Sequence, residues 1–337
     1  MSPDNPWLVC GVAGTFLADD ERKLLEELRP GGVILFARNV EGREQLAALA
    51  AQLGDLSSRP YVAIDLEGGR VNRLEALLGP LPSPAESAAA GSRAVAALGA
   101  ALGAACAHFG IGVDFAPVLD AACSDGFLAR EQRCLGAHAG EVARGAAELL
   151  GGLEARGVAG CLKHYPGLGT GRVDSHRELP VLEDGVVDEE ATFRLLSAPG
   201  RAVMVAHAVA PSLGDALRPA SLSPVVVGRL ATVSCGPVIA DDLEMGALAV
   251  HGSLGERAAA ALLAGCNQVL VCNALAERTE VVEHVRRWAG RDARLARALD
   301  RASGRVAGFG RGPLAPVSWD EARRAADEAR ALAGSAA

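Results

Sequence analysis

Residues 61–65, Tyr61-Val62-Ala63-Ile64-Asp65, form an apolar run without polar alternation that stops on a carboxylate. A half-exposed strand alternates apolar with polar side chains, so a short continuous run reads as a strand covered on both faces, the habit of parallel sheets. Seven further runs share this character, at 7–13, 32–36, 111–117, 158–164, 202–206, 236–241 and 267–272. Between them, 19–28, 42–53, 85–108, 138–155, 246–264 and 276–288 carry helical periodicity. Strand alternating with helix implies a parallel sheet with crossover helices, and eight strands close a barrel. The expected fold is an α/β (β/α)8 TIM-like barrel. A doubly wound open sheet is the alternative, but it carries a Gly-rich phosphate turn after its first strand, and Gly11-Val12-Ala13-Gly14 is a weak version of one.

The 337 residues allow two average domains or one barrel. No Pro/Ser/Gly-rich linker divides them, so a single domain over 1–337 is expected, with its motifs between about 8 and 275. The tail from Arg291, rich in Arg and Ala and broken at 313–316, reads as a pair of solvated capping helices. Charge narrows the partners: 33 Lys+Arg against 41 Asp+Glu give −8, with no basic block. That argues against nucleic acid or an anionic membrane surface, both of which need a concentrated positive field. No apolar run approaches the roughly 18 residues of a membrane span, and residues 1–7 lack a basic and an apolar export region. A cytoplasmic monomer is expected. The eight cysteines are scattered without a C-x-x-C pair, so reduced thiols are the default and a cysteine zinc site is not expected.

In such a barrel the active site is built from the C-terminal ends of the strands and the loops after them. The polar residues fall there. The third strand ends in Asp65-Leu66-Glu67-Gly68-Gly69-Arg70-Val71-Asn72-Arg73, the fourth in Asp114 to Asp120, the fifth in Lys163-His164, the sixth in His207 and the seventh in Asp241-Asp242. Charges terminating apolar strands are expensive to bury without a partner or ligand, so the cluster suits a polar, hydroxyl-rich molecule. The longest special segment, 163–176 (KHYPGLGTGRVDSH), is a Gly- and Pro-containing loop with ionisable groups at its far end, the composition of a functional lid. Asp174 and His176 stand two apart, which in an extended loop puts both on one side, the carboxylate able to hold one imidazole nitrogen and leave the other for proton transfer. An Asx-turn with an exposed histidine is the plainer reading. His164, His176 and His207 have no metal-binding spacing, and no metal or cofactor is expected. Of Asp241 and Asp242, one suits a nucleophile and the other a helix cap, and spacing does not rank them.

At these residues the sequence resembles glycoside hydrolase family 3, and most closely its single-domain bacterial β-N-acetylglucosaminidase branch. The matching stretches are 31–39 (GGVILFARN), 64–73 (IDLEGGRVNR), 114–120 (DFAPVLD), 163–176, 203–207 (VMVAH) and 239–245 (IADDLEM). The resemblance implies a retaining hydrolase that removes terminal N-acetylglucosamine from peptidoglycan fragments by double displacement, with a small sugar as its only partner. By position it implies Asp241 as nucleophile, His176 as general acid/base and Asp174 as the carboxylate tuning it. Asp65, Arg73, Arg133, Lys163 and His164 match residues that hold the sugar ring, with His207 near them in a less defined role. Where the family has polar residues this chain has Leu66, Leu168 and Ala240, and 121–136 matches poorly. A β-glycosidase or phosphorylase of the same barrel and a silent sugar sensor remain as rivals.

Overall fold

The computed structural model describes residues 5–175, 177–182 and 186–334. The eight expected strands form one closed parallel barrel: β1 (Asn5–Gly11), β2 (Pro30–Leu35), β3 (Tyr61–Ile64), β4 (Val113–Asp114), β5 (Ala159–Tyr165), β6 (Ala202–Val205), β7 (Val238–Asp242) and β8 (Gln268–Val271). Each strand pairs with its sequence neighbours, and β1 closes on β8. The crossovers place helices outside, among them α1 (Asp19–Leu28), α2 (Arg43–Gly54), α3 (Ser92–His108), α4 (Ala139–Glu154), α5 (Val186–Leu196), α6 (Pro224–Arg229), α7 (Leu254–Ala264) and α8 (Arg278–Ala289). One large apolar layer lies between sheet and helices, and a smaller cluster fills the barrel interior.

Two expected helices differ in extent. The segment 85–108 is split at Gly91, whose φ of +101° lies in a region that L side chains rarely adopt. A separate helix, Pro84–Ala90, precedes α3 and starts on a reciprocal cap between Ser83 and Glu86. The segment 246–264 begins as a single tight turn, Gly246–Leu248, and α7 starts only after Ser253, which shares a second such cap with Glu256.

The tail does more than cap. Through α9 (Ala293–Val306) and the turn after it, Val306 and Phe309 enter the lower end of the barrel and join its interior cluster. Phe309 meets Tyr61 edge to face at 5.3 Å between ring centroids. Arg311 ties the plug to the strand starts, donating to the carbonyls of Arg59 and Gly31 at 2.7 Å each. The last helix, α10 (Trp319–Gly334), buries Ala322, Ala326 and Ala329 and packs on α3, with Trp319 against His108 and Phe109. The expectation of merely solvated helices fails because both carry an apolar stripe, and the open barrel bottom needs filling. Phe309→Ala should therefore lower stability by about 3 kcal/mol, the usual cost of emptying a buried phenylalanine site, read as the shift in the urea unfolding midpoint.

Candidate active site

The pleat of the strands decides which side chains reach the barrel mouth. Ala63, Cys161 and Ile239 belong to the interior cluster. Side chains alternate along a strand, so two residues further on Asp65, Lys163 and Asp241 also point inward, above the last apolar layer. All three line a cavity of about 310 Å³ at the C-terminal end of the barrel, together with Arg73, Arg133, His164 and Asp174. Val71, Phe127, Leu128 and Leu168 add an apolar wall, and the ion-paired Arg70 and Glu131 also line the cavity.

At the floor stands Glu67, 1% exposed. Its Oε1 and Oε2 accept the two-pronged donation of the Arg133 guanidinium, from a terminal nitrogen and Nε, at 2.8 Å each. The Lys163 ammonium lies 2.6 Å from the same Oε1 and 2.8 Å from Asp65 Oδ1. Burial alone would push the Glu67 carboxyl up, but Arg133 and then Lys163 reverse this and hold it well below the usual carboxylate range. Burial likewise pulls Lys163 toward neutrality, and Asp65 and Glu67 more than offset it, keeping the ammonium charged. Two acids and two bases thus form a neutral quartet. Beneath it, Asp114 is pushed well up by burial; its Oδ1 accepts the Leu66 N–H at 3.0 Å. Arg73 lines the cavity with a buried Nε that has no hydrogen-bond partner among the described residues.

His164 is held through Nδ1, 2.7 Å from Asp120 Oδ2, which leaves Nε2 as the nitrogen for a ligand. Asp120 is fully buried and also accepts the backbone N–H groups of His164 and Leu168. On β7, Asp241 Oδ1 accepts the Asp242 N–H at 2.8 Å, and Asp242 Oδ1 accepts the Glu244 N–H at 3.2 Å. Asp242 therefore begins the following turn; the pairing with β8 is irregular between Ala240 and Asp242, and both aspartates line the cavity. Burial, then the charges of Glu244 and Asp241, push the Asp242 acid up to about 7.

His207 is not among the residues lining the cavity. Met204 points into the barrel, so His207, three residues on, has the opposite parity and lies fully buried behind β7. Its Nε2 is 2.9 Å from the Asp242 carbonyl and its Nδ1 2.7 Å from Ser221 Oγ. Burial lowers its pKa against the pull of Asp241, which fits a neutral ring donating from Nε2 and accepting at Nδ1. This geometry makes it a brace for the strand that carries Asp241. Asp174 and Ser175 line the cavity, and the Ser175 carbonyl accepts the Ala247 N–H, tying their loop to the one after β7. His176 lies outside the described residues. Reading the sequence did not name Glu67 and Asp120 as site residues, although Glu67 stands two places after Asp65 and Asp120 closes the polar end of the fourth strand.

A closed parallel barrel whose strand ends converge charged, hydrogen-bonding groups on one cavity defines a barrel enzyme with a site for a polar ligand. Residues 11–307 match the N-terminal domain of glycosyl hydrolase family 3, and the chain belongs to that family. The beta-hexosaminidase of Vibrio cholerae serotype O1 strain M66-2 is 36% identical over 292 residues, covering 83% of this chain and 86% of that protein. That of Idiomarina loihiensis is 32% identical over 290 residues, 82% of this chain and 86% of its own. Among solved structures, the NagZ of Neisseria gonorrhoeae in complex with N-trifluoroacetyl-D-glucosamine superposes with a TM-score of 0.76 at 29% identity, covering 99% of both chains. A family 3 beta-N-acetylglucosaminidase from Paenibacillus sp. FPU-7 reaches 0.82 at 28% identity, covering 98% of this chain and 68% of that one.

Two outcomes follow from the charges. Glu67→Gln leaves Lys163 and Arg133 buried and short of counter-charge; it should cost about 3 kcal/mol in urea unfolding and raise KM. For Asp242 the native acid titrates near 7 and the unfolded one near its ordinary value of about 3.9. The native state holds the extra proton between them, so this group's contribution to stability falls as pH rises through that window. Asp242→Asn should accordingly gain more Tm relative to the parent at pH 8 than at pH 5.

Proposed function

We propose that the protein is a retaining, exo-acting β-N-acetylglucosaminidase that removes terminal β-linked N-acetylglucosamine. It is a glycoside hydrolase of the β-N-acetylhexosaminidase type, in keeping with the names of its relatives. The observation that carries the reading is the convergence of Asp241 with the Asp65–Lys163–Glu67–Arg133 quartet on one cavity. A neutral sugar needs charged acceptors and donors for its hydroxyls without a net field, and Asp65, Lys163, Arg73 and His164 supply them. That the quartet consumes its own charge is what suits it to an uncharged ring.

Chemically, the Asp241 carboxylate attacks the anomeric carbon while His176, as imidazolium, gives its proton to the departing glycosidic oxygen. The glycosyl–Asp241 ester is then hydrolysed by a water whose proton passes to the neutral His176, which restores both groups. An imidazole replaces the second carboxylate usual in retaining glycosidases, and its ordinary pKa near 6.5 lets it serve in both forms near neutrality. Asp174 raises the imidazolium population. The finer substrate we infer is a peptidoglycan fragment in which N-acetylglucosamine precedes 1,6-anhydro-N-acetylmuramic acid, taken by a cytoplasmic monomer without a cofactor. Among the described residues no helix is long and apolar enough to cross a membrane.

An aryl β-N-acetylglucosaminide tests this: phenol release with retention at the anomeric carbon is expected, and folded protein without release would sink the reading. Asp241→Asn should lower kcat on the order of 10⁴-fold. His176→Ala should harm poor leaving groups more than activated aryl ones. If Asp242→Asn proves the lethal change and Asp241→Asn does not, the nucleophile is misassigned.

A further inference from the structure

Beneath the start of the loop that carries Asp174 lies a carboxyl group that the chemistry above does not use. Glu189, in the first half of α5, is 7% exposed. Its Oε1 accepts the Ala121 N–H at 3.2 Å, while its Oε2 is buried and has no hydrogen-bond partner among the described residues. A Cβ on Gly167, whose φ is +129°, would stand 1.6 Å from Oε2, and one on Gly169 would stand 2.7 Å from Oε1. The loop root is thus folded directly onto the Glu189 carboxyl, and only glycine fits there. Asp120 grips the same root, accepting the Leu168 N–H and the His164 ring and backbone N–H groups.

The surroundings disfavour a carboxylate at this position. Asp120 is the charged neighbour that acts on Glu189 from the segment after β4, and it acts with like sign. Cys134, from the segment before α4, presents a thiol that burial keeps protonated. The His164 ring is turned to Asp120, and on the same helix Glu190 is turned away to Tyr165 and Arg229. Among the described residues no cation pairs with Glu189. Burial, then the Asp120 charge, push its acid up to about 8 against the pull of the Ala121 and Gly169 backbone N–H groups.

We propose that Glu189 is a positioning residue: its carboxyl closes the underside of the root 164–169 and, with Asp120, sets the orientation of His164 and of the chain leading to Asp174. The proposal rests on the reading of this loop as part of a glycosidase site. With the root open, Glu189 would return to its ordinary value of about 4.3, whereas closed it titrates near 8. The closed root therefore holds a proton that the open one does not. Its opening equilibrium rises by up to tenfold per pH unit between about 5 and 8, then levels off.

Hydrogen–deuterium exchange of the segment 167–171 in the full-length protein, corrected for intrinsic rates, reads this directly and needs no turnover. Protection in the parent is expected to fall with pH from 5 to 8, and to be independent of pH in Glu189→Gln, whose amide cannot ionise. In parallel, Glu189→Ala should lower kcat at every pH, and Glu189→Gln should recover it. Protection in the parent that does not change from pH 5 to 8 would overturn the proposal even if the variant fails to fold, as would an unchanged fall in Glu189→Gln. Loss of aryl glucosaminide hydrolysis in the parent would instead overturn the functional reading and leave the exchange result standing.

Discussion

Glu67 is the residue on which the mouth of this barrel depends. A carboxylate 1% exposed is tolerable only with dedicated partners, and here Arg133 and Lys163 meet it at once. Those contacts also fix the two cations. Lys163 is thereby presented to Asp65, and Arg133 is drawn from the poorly matching stretch 121–136 into the cavity. Lys163, Arg133 and Asp65 are thus oriented by one another's charges at the cavity.

Around that floor the structure repeats one device, a backbone segment held by a carboxylate from another element. Asp120 holds the root of the loop after β5, Asp114 the Leu66 amide, and Glu244 the amides of Asn273 and Ala274 after β8. Loops at the top of a barrel have no ladder of their own to satisfy their N–H groups, and buried acceptors supply it. Burial, and then the charge of neighbouring acids, push two carboxyls beside them up, Asp242 to about 7 and Glu189 to about 8. The same packing that shapes the site thus makes it sensitive to pH.

The opposite end is closed by different means. Val306 and Phe309 fill the bottom, and Arg311 ties the plug to the rim through carbonyls. Stability and chemistry are separated along the barrel axis, so a polar mouth costs little in the apolar half.

Much of this was legible along the chain. The eight strands and most helices follow from local periodicity, because side-chain direction along a strand or helix depends only on neighbouring residues. The same period of two places Asp65, Lys163 and Asp241 in one layer, and it also turns His207 away from the cavity, a consequence of parity that motif position alone did not convey. The breaks at Gly91 and before Ser253 were likewise present as a glycine and a capping serine. What only the tertiary structure decided is which charges meet. Glu67 finds Arg133 across 66 residues and Asp120 finds His164 across 44, and the tail reaches back to the strand starts. Those pairings exist because closure of the barrel brings distant strand ends together and removes water from between them. Neither closure nor burial is encoded in a local pattern.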